Sequence, residues 1–206
     1  MSNRSILDRF FPVKYDFFLL LSRQAELNSL VVGALSDWLE NGGDGKILLE
    51  KYRAETDNVR MELEKNLVAA FSTPFERGDI YLLSVDMHKV NDYTMSTYLS
   101  MTDFGVCADP AINRMVARLK DGADLFRDAV ADICKHPAHA EERIPGMRSS
   151  HTEIEQIYRD AMAELFAGGD PMHALVLREV YHHIKDASAN LNYSVDTLHR
   201  IIVELT

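Results

Sequence analysis

The stretch "DMHKVND" (86–92) sets His88 and Asp92 four residues apart. In a helix, residues so spaced stand one above the other on a single face. An imidazole and a carboxylate in that arrangement can chelate zinc, iron, nickel or manganese. They can equally be two polar groups on a solvated stripe, and the spacing alone leaves both readings open. Three further pairs share this spacing: Arg53 with Asp57, His151 with Glu155, and Lys185 with Ala189. A metal needs ligands converging from facing helices, and each pair of this kind offers at most two. Three of the four pairs keep at least one plausible ligand.

Other chemistry is poorly supported. Glu179 and His182 form an E-x-x-H unit of the kind found in di-iron carboxylate bundles. Those bundles need two such units plus two more glutamates, and the chain has no second E-x-x-H. Cys107 and Cys134 have no histidine neighbour in sequence and no metal-type spacing, so neither reads as a nucleophile or a ligand. The "NGGDG" segment (41–45) lacks the Lys-Ser/Thr of a phosphate-cradling loop. No catalytic residue emerges.

The elements that would carry these residues are helices. Phe17, Leu20, Gln24, Leu27, Val31, Ala34 and Trp38 recur by three and four, one stripe about 30 Å long. After the break at 41–45 a second helix is predicted over about 46–71, with Leu49, Tyr52, Thr56, Val59, Leu63, Leu67 and Ala70 inward. "STPFERGD" (72–79) offers Thr73 and Glu76 as a capping box, with proline at the first helical position. The third helix then runs to about 103, the fourth over about 110–135, the fifth over about 148–167, and the last from about 171 to the end. Residues 135–147 read as a connection punctuated by Pro137 and Pro145. No six-residue run alternates like a strand. The fold expected is all-α, with six long helices.

The two halves match each other. With Asp57 placed over Glu155, Val59 falls on Ile157, Glu62 on Asp160 and Leu67 on Leu165. One shift of register in the turn then sets Ile80 on Leu177, Leu83 on Val180, Met87 on Ile184 and Asn91 on Ser188. This implies two copies of a three-helix unit, at about 14–103 and 110–206, packed as one elongated domain over 1–206.

Composition narrows the function classes. The 206 residues are 47% hydrophobic and 26% charged, enough for a packed core. A formal charge of −10 argues against nucleic-acid binding, which needs basic residues to displace counterions. It also argues against coating anionic lipid unaided. The apolar run Phe17–Leu21 is too short to span a membrane. The two cysteines suit a reducing compartment, and the chain reads as cytoplasmic.

The sequence resembles the PhoU-like phosphate transport regulators, in the short branch that accompanies Pit-type low-affinity permeases. The resemblance runs from Phe10 through the last helix. It is carried most specifically by "TPFERGDIYLLSVDMHKVNDY" (73–93), with "RAETD" (53–57), "HTEIEQIYRDAMAELF" (151–166), "REVYHHIKDASANL" (178–191) and the opening "FFPVKYDFFLLLSRQAEL" beside it. It implies a bundle of two three-helix repeats whose acidic E/D-x-x-x-D motifs can bind clustered transition metals, and a non-enzymatic role in phosphate uptake. Carried over residue by residue, those motifs are depleted. Arg53, His88 and His151 replace the first acids of three, and Lys185 and Ala189 replace both ligands of the fourth. The metal candidates left are Asp57, His88, Asp92, His151 and Glu155, for an iron, zinc, nickel or manganese ion. Either Arg53 pairs with Asp57 and the second-half site has dissolved, or the histidines build a smaller, softer site with Asp92 and Glu155.

The partner implied is a Pit-type permease, met on its cytoplasmic side through a basic loop, or a signalling protein. Membrane contact would come only through that partner, at the inner face of the plasma membrane. Self-association is expected, as for other bundles of this kind. The alternatives are a metal store or metal-dependent enzyme, and a metal-free interaction scaffold.

Overall fold

The apolar stripes pack as six long helices in a computed structural model that describes residues 15–43, 45–168 and 170–206. In chain order these are α1 (Phe17–Asn41), α2 (Gly45–Ala69), α3 (Arg77–Asp103), α4 (Pro110–Asp132), α6 (Ile144–Ala167) and α7 (Pro171–Leu205); the short α5 (Pro137–Glu142) lies in the connection before α6. No strand occurs among the described residues. The all-α expectation therefore holds. The part of the opening segment at residues 10–14 lies outside the described residues.

Local chemistry sets the helix starts. Asp16 accepts a hydrogen bond from the Leu19 amide at the head of α1. Asp109 and Asp170 do the same for α4 and α7, each followed by a proline that needs no amide partner in the first turn. The connection at 135–147 is shorter than expected. Pro145 sits inside the first turn of α6 instead of preceding the helix, so α6 begins at Ile144 and not near residue 148.

The capping box at 73–76 does not form. The Thr73 hydroxyl donates to the Phe75 carbonyl, and α3 starts at Arg77 with no side-chain cap from Glu76. Two interactions hold the turn in its own shape. Phe75 is buried edge-on against Phe18 at 5.6 Å. The Arg77 guanidinium donates to the carbonyls of Leu67, Ala70 and Phe71, closing the open C-terminal end of α2.

The core lies between α1, α3, α4 and α7. The helix α3 packs along α7 and α1 along α4, while among the described helices α2 rests on α1 and α3 alone. On the other side α6 rests on α4, α7 and the short α5. Exchanging α1 with α4, α2 with α6 and α3 with α7 leaves this set of long-helix contacts unchanged. The helices α3 and α7 run in opposite directions along the bundle. Asp79 at the start of α3 thus meets Arg200 near the end of α7, through bonds of 2.8 and 2.5 Å.

Buried polar pairs fix the register. Gln24 on α1 donates to the Ser84 carbonyl at 2.7 Å and receives the Ser84 hydroxyl at 2.8 Å. Asn91 on α3 donates to the Thr56 hydroxyl on α2 at 2.9 Å, and Thr56 donates in turn to the Tyr52 carbonyl. Each lost bond of this kind would strand a buried polar atom, so a slip of either helix is costly.

Candidate functional site

The Thr56–Asn91 bond places the next residue of each helix side by side. Asp57 and Asp92 come to flank His88, whose Nδ1 lies 3.4 Å from Asp57 and whose Nε2 lies 3.3 Å from Asp92. The imidazole is mostly buried and both carboxylates are about half exposed. Arg53 on α2 reaches across to Asp92 at 3.1 Å. The pairing of Arg53 with Asp57 on its own helix, one of the two alternatives, is therefore replaced by an ion pair between helices. Asp57 turns to His88, and the long arginine stem spans the groove to α3.

His151 and Glu155 stand elsewhere. His151 Nδ1 lies 2.9 Å from the Ser188 hydroxyl of α7. Burial holds its imidazole below its ordinary pKa, with Lys185 acting in the same direction and Glu155 and Asp196 against it. Glu155 faces Arg159 at 3.6 Å. Lys185 lies over the Tyr158 ring at 5.8 Å and bonds to Asp186 at 2.9 Å. Burial alone would lower its pKa, but Asp186 and Glu155 outweigh that and raise it. The helices α2 and α6 do not touch, so the five candidates form two separate stations. One holds Asp57, His88 and Asp92; the other holds His151 and Glu155.

The E-x-x-H unit is not assembled. Glu179 turns to His183 at 3.5 Å, whereas His182 stacks on Tyr158 at 5.5 Å. A different acidic convergence does form: carboxylate oxygens of Glu76, Asp79 and Glu204 all lie within 4.8 Å of one another. Sequence reasoning missed it because Glu204 comes from the far end of the chain, and only the antiparallel packing of α3 on α7 delivers it. Asp79 there is already engaged by Arg200 on both oxygens.

Two features of the first station bear on metal binding, in opposite directions. In favour, His88 is a mostly buried imidazole held between two carboxylates, and among the described residues its Nδ1 makes an ion-pair contact with Asp57 but no hydrogen bond. Against a cluster, His88 shows a different nitrogen to each carboxylate, and Arg53 brings a positive charge to Asp92. These residues fit one ion held by His88 and a neighbouring carboxylate. They do not fit a multi-ion cluster drawing on all five candidates.

No helix among the described residues is long and apolar enough to cross a membrane. No protein-family model matches the sequence. The chain is 25% identical over 206 residues to a Rhizobium meliloti (strain 1021) protein named "Putative pit accessory protein", covering 96% of this chain and 94% of that one. Its fold matches the crystal structure of a PhoU-like protein from Shewanella oneidensis MR-1 with a TM-score of 0.71 at 11% identity, over 91% of this chain and 97% of that one. A second structure from that organism, a "putative PhoU-like phosphate regulatory protein", matches with a TM-score of 0.69 at 12% identity, over the same shares. The resemblance carried by the motifs thus holds along nearly the whole chain: the fold is that of the PhoU-like proteins, and the sequence is similar to a Pit accessory protein.

Proposed function

We propose that this chain is a non-enzymatic regulator of inorganic phosphate transport. The observation that carries the reading is similarity over 96% of the chain to a protein named for accessory action on Pit. The shared fold with a PhoU-like phosphate regulatory protein supports it. The protein acts on the cytoplasmic side of a Pit-type permease, or on a signalling partner, and alters transport without turning over a substrate. Its charge of −10 favours a basic partner loop over bare anionic lipid. It reaches the inner face of the plasma membrane through that partner and self-associates. The interchangeable packing of α1, α2 and α3 with α4, α6 and α7 supports an origin by duplication within one domain. Deleting the gene changes the rate of phosphate uptake while permease abundance stays constant. Unaltered uptake kinetics in the deletion strain contradict the reading.

The placement of His88 between the Asp57 and Asp92 carboxylates favours a second, compatible reading. A single iron, zinc, nickel or manganese ion sits at His88 with Asp57 or Asp92 beside it, and His151 with Glu155 forms a weaker station. Calorimetric titration with each metal tests this. Binding that is lost in His88→Ala and kept in His151→Ala supports it; no heat with the wild type, or the same heat after both substitutions, removes it.

A further inference from the structure

The ends of the helices meet in the same way in the two halves, but only one of the two junctions is filled. Where α1 begins, α2 ends and α3 begins, Phe18 and Phe75 pack edge to face and close the space between the helices. Phe75 can do this because seven residues, 70–76, separate α2 from α3. Where α4 begins, α6 ends and α7 begins, the turn between α6 and α7 is only three residues, 168–170, and carries no aromatic side chain. A cavity of about 460 Å³ lies there.

The cavity has two chemical faces. Its apolar wall is formed by Ala111, Ile157, Ala161, Leu165 and Leu177. Four carboxylates, Asp109, Asp160, Glu164 and Asp170, stand around it against one guanidinium, Arg114, and the imidazole of His173. Asp109 is engaged by the Tyr181 hydroxyl and Asp170 by the head of α7, but Glu164 is exposed, and among the described residues Asp160 is bonded to the neutral amide of Gln156 alone. An apolar wall bordered by carboxylates suits an aromatic side chain flanked by a basic one better than a small ion.

We propose that this cavity receives an aromatic side chain from a basic segment of a partner protein, supplying from outside the ring that Phe75 supplies in the other half. The ring lies against Ile157, Ala161, Leu165 and Leu177, and a flanking lysine or arginine lies against Asp160 and Glu164. The inference rests on the regulatory reading for who carries the segment, and not for the chemistry of the pocket. Its test uses purified protein without any permease, so it can fail while that reading stands.

The probe is a synthetic pentapeptide, acetyl-Gly-Lys-Phe-Arg-Gly-amide, titrated into isotope-labelled full-length protein and followed by amide chemical shifts. Shifts are expected at the start of α4, the end of α6 and the start of α7. Replacing the phenylalanine of the peptide by alanine weakens binding about tenfold or more, from the loss of one buried ring. Ala111→Phe, which refills the space, abolishes binding. Should that variant fail to fold, Asp160→Asn with Glu164→Gln, both exposed, weakens binding and flattens its salt dependence. Equal binding of the alanine peptide, shifts scattered over the acidic surface, or none at millimolar peptide overturns the proposal.

Discussion

The Asp79–Arg200 contact ties the start of α3 to the end of α7, and Arg200→Met measures its worth. The carboxylate of Asp79 is 6% exposed and receives two bonds from a guanidinium that is itself 53% exposed. Breaking a fully buried pair by removing one partner costs about 3–5 kcal/mol. Water at the exposed arginine lowers that figure, and so does the first-turn position of Asp79, which keeps about 0.3–1 kcal/mol from the helix dipole. Loss of two charge-assisted bonds to a buried acceptor then leaves a cost of about 2 kcal/mol. Glu76 and Glu204 hold it there, because both lie within 4.8 Å of Asp79 and repel it once the arginine is gone. For a chain of this length the melting temperature falls by about 4–8 °C. Methionine keeps the packing of the stem, so the loss reports charge and hydrogen bonds. The assay is urea unfolding of the wild type, Arg200→Met, Asp79→Asn and the double variant. A coupling of at least about 1 kcal/mol is expected. A loss below about 0.5 kcal/mol, or no coupling in the double variant, refutes the reasoning.

Two other perturbations follow from buried groups. Asn28 is fully buried in α1 and neither amide atom has a hydrogen-bond partner among the described residues, so Asn28→Leu raises stability by about 1–2 kcal/mol in urea unfolding; a loss would mean that the amide is satisfied in solution. Burial holds both His151 and His182 below their ordinary pKa, so the unfolded chain takes up protons first as the pH drops. Stability is therefore full above about pH 6.5 and declines below it, and His151→Gln with His182→Gln reduces that decline in the urea midpoint. An unchanged pH slope in the double variant would show that neither imidazole contributes.

What the sequence makes legible is what one helix decides for itself. The apolar spacing of Leu27, Val31 and Ala34, or of Leu177, Val180 and Ile184, fixes helix type and inward face without reference to a partner. The positions of Asp57, His88 and Asp92 on facing stripes follow from the same periodicity. What it leaves hidden depends on two elements at once. Thr73 and Glu76 have the residue types of a cap, yet burial of Phe75 against a side chain on α1 overrides them. Arg53 has an acid four residues away on its own helix and chooses one on the next. The Glu76–Asp79–Glu204 convergence joins the two ends of a long antiparallel pair. The cavity at the head of α7 is an absence, a missing ring in a short turn, and becomes visible only beside the filled junction at Phe75.

The central claim is that this bundle alters phosphate transport by acting on a transporter. The most direct measurement is the initial rate of radiolabelled phosphate movement in inside-out membrane vesicles that carry a Pit-type permease and present its cytoplasmic face. Purified protein added to such vesicles changes the rate in a saturable way, and has no effect on vesicles without the permease. A rate that stays the same at saturating protein, with the permease present and active, contradicts the account.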